Sequence, residues 1–292
     1  MSSLCTLLGY SRQAHYQHQR YREKEALQSE LLVQGVLRIR KNQKRLGTRK
    51  VFFLLGGFMQ KHRIRIGRDA FFELLREQNL LVRERKCRKP RTTFSCFWMY
   101  RYPNLAKGFI PTSPNQLWVS DITYIHIGEG FGYLSLITDG YSRKIVGFFL
   151  CNDLSAKGCI VALKMALKNN PERENLIHHS DRGLQYYSAD YVKLLEPVCR
   201  ISMTEHSDPL ENAIAERVNG ILKDELLEQR FKTFAVAQMG VATAISIYNH
   251  QRPHSSIDML TPAVAHTQSG LLKKHWKNYY SLKKEKEVAM VT

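Results

Sequence analysis

Three runs of alternating apolar and polar residues, 117–127, 131–139 and 144–151, constrain this chain more than any other feature. Short turn segments separate them: Gly128 and Gly130 after the first run, then Asp139, Gly140, Tyr141 and Ser142 after the second. Connections this short join antiparallel neighbours. The pattern then changes, predicting a helix over 155–168, a strand over 175–179, a helix over 189–195 and a short strand near 200–203. Three antiparallel strands followed by helix and strand units give an α/β fold, a mixed five-stranded sheet flanked by helices.

Acidic residues stand where such a sheet does not want them. Asp121 lies in the middle of the first run, sharing a face with Val119 and Thr123. An aspartate is unfavourable in a strand, and burying its charge costs roughly several kcal/mol unless a cation or an arginine compensates. Asp181 follows the strand over 175–179, at the carboxyl end where open α/β sheets present ligand-binding groups. Glu216 belongs to a helical segment. At about 100° per residue, Asn212, Glu216, Asn219 and Lys223 fall on one line, with Ile214, Val218 and Ile221 opposite. The phase predicts an apolar face packed inward and a polar line turned away from it, Glu216 holding metal and Lys223 meeting phosphate. Asn212 and Arg217 are further candidate DNA contacts.

Carboxylate oxygens suit Mg2+, with Mn2+ as a substitute, rather than zinc. Two such ions, about 3.5–4 Å apart, would activate a water or a 3′-hydroxyl and stabilise the leaving oxygen of a phosphodiester. His178 and His179 point to opposite faces of their strand, and His179 is the candidate for a supporting role beside Asp181. Asp139, in an Asp-Gly turn, reads as a turn residue. Arg252 and His254 read as structural or DNA-contacting.

The charge is uneven. Residues 1–110 carry 24 Lys and Arg against 7 Asp and Glu, whereas residues 111–292 carry 20 against 19. A basic module beside a near-neutral one fits a nucleic-acid-binding part attached to a working domain. Ser11 can cap a short helix, and further helices are expected from Leu31, after Thr48 up to Gly56 and Gly57, and over 68–78. Arginine-rich helices joined by glycine-containing turns resemble a helix-turn-helix. Arg83, Arg85, Lys86, Arg88, Lys89 and Arg91 form a basic run that reads as a DNA-contacting linker. The organisation expected is an arm over 1–30, a helical domain over 31–90, a linker over 91–114, a catalytic domain over 115–265 and a basic tail over 266–292. Six scattered cysteines lack zinc-finger spacing, and the apolar stretches are too short for a membrane span. A reducing cytoplasm is the expected compartment.

Ordered along the chain, these segments resemble a known family: the second-frame protein of bacterial insertion-sequence transposases of the DDE type, in the insertion-sequence-three family. Trp118, Asp121 and Thr123 match its opening catalytic segment, and Asp139, Ser142, Arg143 and Gly147 match a second segment of the family. His179, Ser180, Asp181, Gly183 and Tyr186 match the segment of its second aspartate. Asp208, Asn212, Glu216, Lys223 and Glu225 match that of its glutamate. Tyr248, Asn249, Arg252, Pro253, His254, Thr261 and Pro262 match its closing signature. The resemblance implies a ribonuclease-H-like integrase core, with Asp121, Asp181 and Glu216 as catalytic metal ligands for DNA cleavage and strand transfer at element ends. It also implies double-stranded DNA (terminal repeats and target) as partner, a homo-oligomeric synaptic complex, an upstream first-frame protein fused to or assisting the chain, and a place at the bacterial nucleoid. The 34 residues between Asp181 and Glu216 are one fewer than the family pattern, and the shortening falls near Pro197. Two other readings share these residues: a nuclease that cuts without joining, and an inactive DNA-binding remnant or transposition inhibitor.

Overall fold

The computed structural model describes residue 9 and residues 11–83, 102–173, 175–205 and 209–275. The chain divides into two compact units, Met1–Lys86 and Cys87–Thr292.

The first unit is helical: α1 (Arg12–Asn42), α2 (Thr48–Leu54), α3 (Gly56–Lys61) and α4 (Arg68–Glu77). Ser11 caps α1, its Oγ accepting from the Ala14 amide at 3.0 Å. The sequence pattern expects two helices between Ser11 and Asn42, but the structure runs them into one of 31 residues. No proline interrupts that stretch, and its Glu, Gln, Arg and Leu content favours helix throughout. Gly56 and Gly57 break the next helix as expected, yet the chain re-enters a helix at once as α3. Leu32, Val36, Leu46, Val51, Leu55, Phe71 and Leu75 fill the core of this unit.

The second unit holds β1 (Leu117–Ile127), β2 (Gly130–Asp139), β3 (Ile145–Cys151), α5 (Ala156–Asn169), β4 (Ile177–Ser180), α6 (Ala189–Leu195) and β5 (Arg200–Met203). A 3-10 turn (Pro209–Asn212), α7 (Ala213–Ile221), a π turn (Leu222–Leu226), α8 (Phe234–His250) and α9 (Pro262–Ala265) follow. The sheet order is β3-β2-β1-β4-β5. Pairing is antiparallel from β3 to β1 and parallel from β1 through β4 to β5. This is the five-stranded mixed sheet expected, and β1 at its centre is buried on both faces. Trp118 and Ile137 pack with α5 and α6 on one side; Ile125, Leu134 and Leu136 pack with α7 and α8 on the other. No helix among the described residues is long and apolar enough to cross a membrane.

Two residues that match the family pattern have structural explanations. Asp139 is fully buried at the end of β2, where its Oδ1 accepts from the Ser142 amide and hydroxyl, each at 2.7 Å. Its Oδ2 accepts from the Asn115 amide at 2.8 Å, so it is a turn residue, as the Asp-Gly context implies. Gly147 lies where β3 meets α5, and a Cβ there would stand 2.2 Å from the Ala162 carbonyl oxygen. Backbone cannot yield as a side chain can. Gly147→Ala is therefore expected to lower unfolding stability by about 1–3 kcal/mol, read from urea denaturation. An unchanged midpoint would show that α5 does not press on β3.

Candidate active site

β4 pairs with β1 over only four residues, ending in the register Ser120 opposite Ser180. The next residue of each strand is an aspartate. β1 runs on to Ile127 beside β2, but β4 has ended, so the sheet opens beside Asp121. A mid-strand acid thus stands at the mouth of the parallel half, next to Asp181 on a neighbour roughly 4.8 Å away. Gly183 then turns the chain tightly, its amide donating to Asp181 Oδ1 at 3.1 Å.

Glu216 arrives from α7. Asn212 stands at the N-cap position but does not cap: its Nδ2 donates to the Ser120 carbonyl at 3.0 Å. Asn219, two turns on, donates to Asp121 Oδ2 at 2.6 Å. Both asparagines are 7% exposed. The helical line of Asn212 and Asn219 therefore lies against β1, where the sequence phase expects it to face away from the protein. Amides satisfied by a strand carbonyl and a carboxylate can be buried, which apolar patterning does not reveal. The expected DNA contact at Asn212 is corrected accordingly: its side chain fastens α7 to β1. Glu216 is exposed at the border of that buried line, beside the exposed Arg217. Lys223 is half-buried in the π turn, where the α-helical phase no longer applies.

Asp121 feels the charge of both other acids. Burial, then the charge of Asp181 and more weakly that of Glu216, pushes the Asp121 carboxyl up to about 7. The Ile122 amide (2.9 Å) and Asn219 offset part of this. Burial also raises Asp181. Among the described residues no three His, Cys, Asp or Glu side chains close into a group that could hold an ion. The acids as placed are an open set, not a cage. Their chemistry nevertheless fits a hard divalent cation, because all offered donors are carboxylate oxygens and the negative charge of its neighbours adds to burial in raising Asp121.

His179 is fully buried and touches neither aspartate in the hydrogen-bond pattern. Its Nε2 donates to the Glu211 carbonyl (3.1 Å), and its Nδ1 accepts from Ser202 (2.8 Å). Burial lowers its pKa, keeping the ring neutral as that pairing requires. It ties β4 and β5 to the turn that launches α7. On the other face His178 joins Ser120 (2.7 Å) and Tyr191 (2.9 Å), and burial lowers it to about 3.

The closing segment braces the site from behind, which the sequence left open between structure and DNA contact. Asn249 clamps Ile145, accepting from its amide and donating to its carbonyl, both at 3.0 Å. Arg252, 1% exposed, forms a two-pronged pair with Glu225 of the π turn at 2.8 and 2.7 Å. Of the expected DNA contacts, Arg83 is exposed, and Arg85, Lys86, Arg88, Lys89 and Arg91 lie outside the described residues.

Two outcomes are expected. The Asp121 carboxyl is near 7 when folded, against an ordinary value of 3.8. The folded state thus holds this proton more tightly, so its stabilising contribution is full below about pH 4 and is lost as pH rises through about 7. The melting temperature of metal-free protein should fall across that window, and Asp121→Asn should flatten the fall; an equally steep fall in the variant would contradict the coupling. Arg252→Ala should cost about 3–5 kcal/mol in chemical denaturation, because it strands Glu225. A loss below about 1 kcal/mol would put the pair in the class of exposed bridges.

Residues 111–203 and 198–262 match two models of the integrase core domain. Over 271 residues the chain is 34% identical to the insertion element IS600 31 kDa protein of Shigella sonnei, covering 89% of this chain and 96% of that one. It is 35% identical to transposase InsF for insertion sequence IS3A of Escherichia coli over 161 residues, 54% of this chain and 56% of that protein. Among solved structures, the HTLV-2 integrase catalytic core domain in complex with magnesium is 18% identical, with a TM-score of 0.43, over 54% of this chain and 99% of that one.

Proposed function

Because this chain belongs to the DDE-type insertion-sequence transposases, enzymes that cut and integrate DNA on an integrase core, we propose that Asp121, Asp181 and Glu216 are its catalytic carboxylates. One observation carries the reading: β1 and β4 end their pairing at Ser120 and Ser180, setting the two aspartates side by side, with Glu216 within electrostatic reach of Asp121. The geometry around the shortened part of the Asp181–Glu216 interval supports the reading. That part is the tight turn from α6 into β5, where the Val198 and Cys199 amides bond to the Leu195 carbonyl, and β5 keeps its register with β4.

The family is metal-dependent, and Asp121, Asp181 and Glu216 would hold two Mg2+ ions, with Mn2+ as substitute. Such ions supply activation of a water or 3′-hydroxyl and charge stabilisation at the leaving oxygen. The chain's own residues do the rest. Asn219 fixes the orientation of the Asp121 carboxylate, and Gly183 that of Asp181. Asn212 holds α7 at the correct height on β1. Exposed Arg217, Lys223 on the π turn and Arg83 with the basic run after it would meet phosphates, supplying the salt-sensitive part of binding. The basic helical unit would hold element ends. Double-stranded DNA, further copies of the chain and an upstream first-frame protein are the partners in this reading.

Labelled element ends incubated with plasmid and Mg2+ should give joined products as well as nicks. Asp121→Asn, Asp181→Asn or Glu216→Gln should each reduce both by at least about a hundredfold, the scale on which misplaced catalytic groups act, while duplex binding persists. Nicks without joined products would contradict integration, and full activity in any of the three variants would remove that residue from the site.

A further inference from the structure

Helix α5 carries a charge pattern that its own stability does not explain. Lys157, Val161, Lys164 and Lys168 lie on one line of the helix and are all exposed. No acidic residue occurs anywhere in α5, so no opposite charge sits one turn away from any of these lysines within the helix. Lys164 and Lys168 are an i,i+4 pair of like charge, an arrangement that destabilises a helix. Lys157 stands in the first turn, where the helix dipole disfavours a cation; only Lys168, in the last turn, suits it. Asp153, before the helix, is the acid whose charge is felt with that of Lys157. Among the described residues none of the three lysines has an ion pair within 4.0 Å. A solvated helix face normally mixes its signs. Only Lys157 has an acid nearby, and local rules broken at Lys164 and Lys168 without compensation point to a partner outside the fold.

The place of α5 says which partner. The Gln185 side chain donates to the Leu154 carbonyl at 2.8 Å, fastening the segment that starts α5 to the turn after Asp181. Leu154 and Leu184 are exposed at that junction, 40% and 61%. The row of lysines thus starts beside this junction at Lys157 and runs away from it. From Lys157 to Lys168 the helix advances roughly 16 Å, about half a turn of duplex DNA. That is the length over which one strand stays on one face of a protein.

We propose that Lys157, Lys164 and Lys168 form a phosphate track on α5 that holds a DNA duplex as it leaves the carboxylate site. The proposal rests on the DNA-acting reading of that site. It adds a binding surface on the side of the sheet away from α7, distinct from Arg217, Lys223 and the basic run at 83–91.

The test is a fluorescence-anisotropy titration of a labelled duplex at several salt concentrations with the full chain. The triple variant Lys157→Gln, Lys164→Gln, Lys168→Gln should flatten the dependence of log affinity on log salt by about 2 to 3 and weaken binding more than tenfold at low salt. The corresponding triple arginine variant should restore both, and melting curves should show all forms folded. A glutamine variant with the wild-type salt slope would overturn the track while leaving cleavage and joining, measured in parallel, to uphold the carboxylate site. Unchanged DNA binding with lost self-association in sedimentation would also overturn it, assigning this face to a second copy of the chain. Wild-type protein that neither binds nor nicks duplex would remove both readings.

Discussion

The four-residue parallel pairing of β1 with β4 sets the conditions for everything else in the second unit. It stops at Ser120 and Ser180, and the next position of each strand is a carboxylate. Two acids on adjacent strands repel each other and resist burial, and the sheet gains nothing from them. Much of the surrounding structure can be understood as holding this unfavourable pair in place. The Ile122 and Gly183 amides and the Asn219 side chain each direct a donor at it. They lower its cost without neutralising it, and Asp121 keeps a carboxyl near 7. Charge left over in this way is what a divalent cation would meet.

In the proposed site, helix α7 would present Glu216, and it is fixed at both ends. Asn212 ties its start to the strand residue before Asp121. Beyond its end, the π turn is held by the Arg252–Glu225 pair, and α8 is anchored to the start of β3 through Asn249. His179 adds a third fastening, joining β4 and β5 to the turn before α7. The closing signature of the family thus acts at a distance. Its Arg252 and Asn249 bond to Glu225 and Ile145, and these bonds fix the elements around the helix bearing Glu216. The asymmetry of the sheet has a further consequence: α7 serves the acids from one face, while α5 on the other face carries lysines that the fold itself does not use.

Much of this was legible in the sequence, for identifiable reasons. Period-two patterning exposed β1, β2 and β3, and an aspartate amid such a pattern was conspicuous because strands disfavour it. Asp139 was readable as a turn residue from the glycine after it. Helical phase correctly grouped Asn212, Glu216 and Asn219, but phase gives relative angles only. It could not say that the polar line meets a strand, since that depends on hydrogen bonds to Ser120 and Asp121 from 92 and 98 residues away. The π turn changes the phase at Lys223 without any marker in composition. The Arg252–Glu225 pair spans 27 residues and the whole of α8, so no local window contains it. In the first unit, α1 is longer than its apolar pattern suggests, because only its last third has a core to face.

The central claim is that the opening beside β4 is a cation site made of Asp121, Asp181 and Glu216. Anomalous scattering from crystals of the full chain soaked in Mn2+ tests it most directly. Manganese peaks are expected beside the Asp121 and Asp181 carboxylates, with Glu216 drawn towards them. Crystals that bind Mn2+ elsewhere while these three side chains keep their metal-free positions would contradict it.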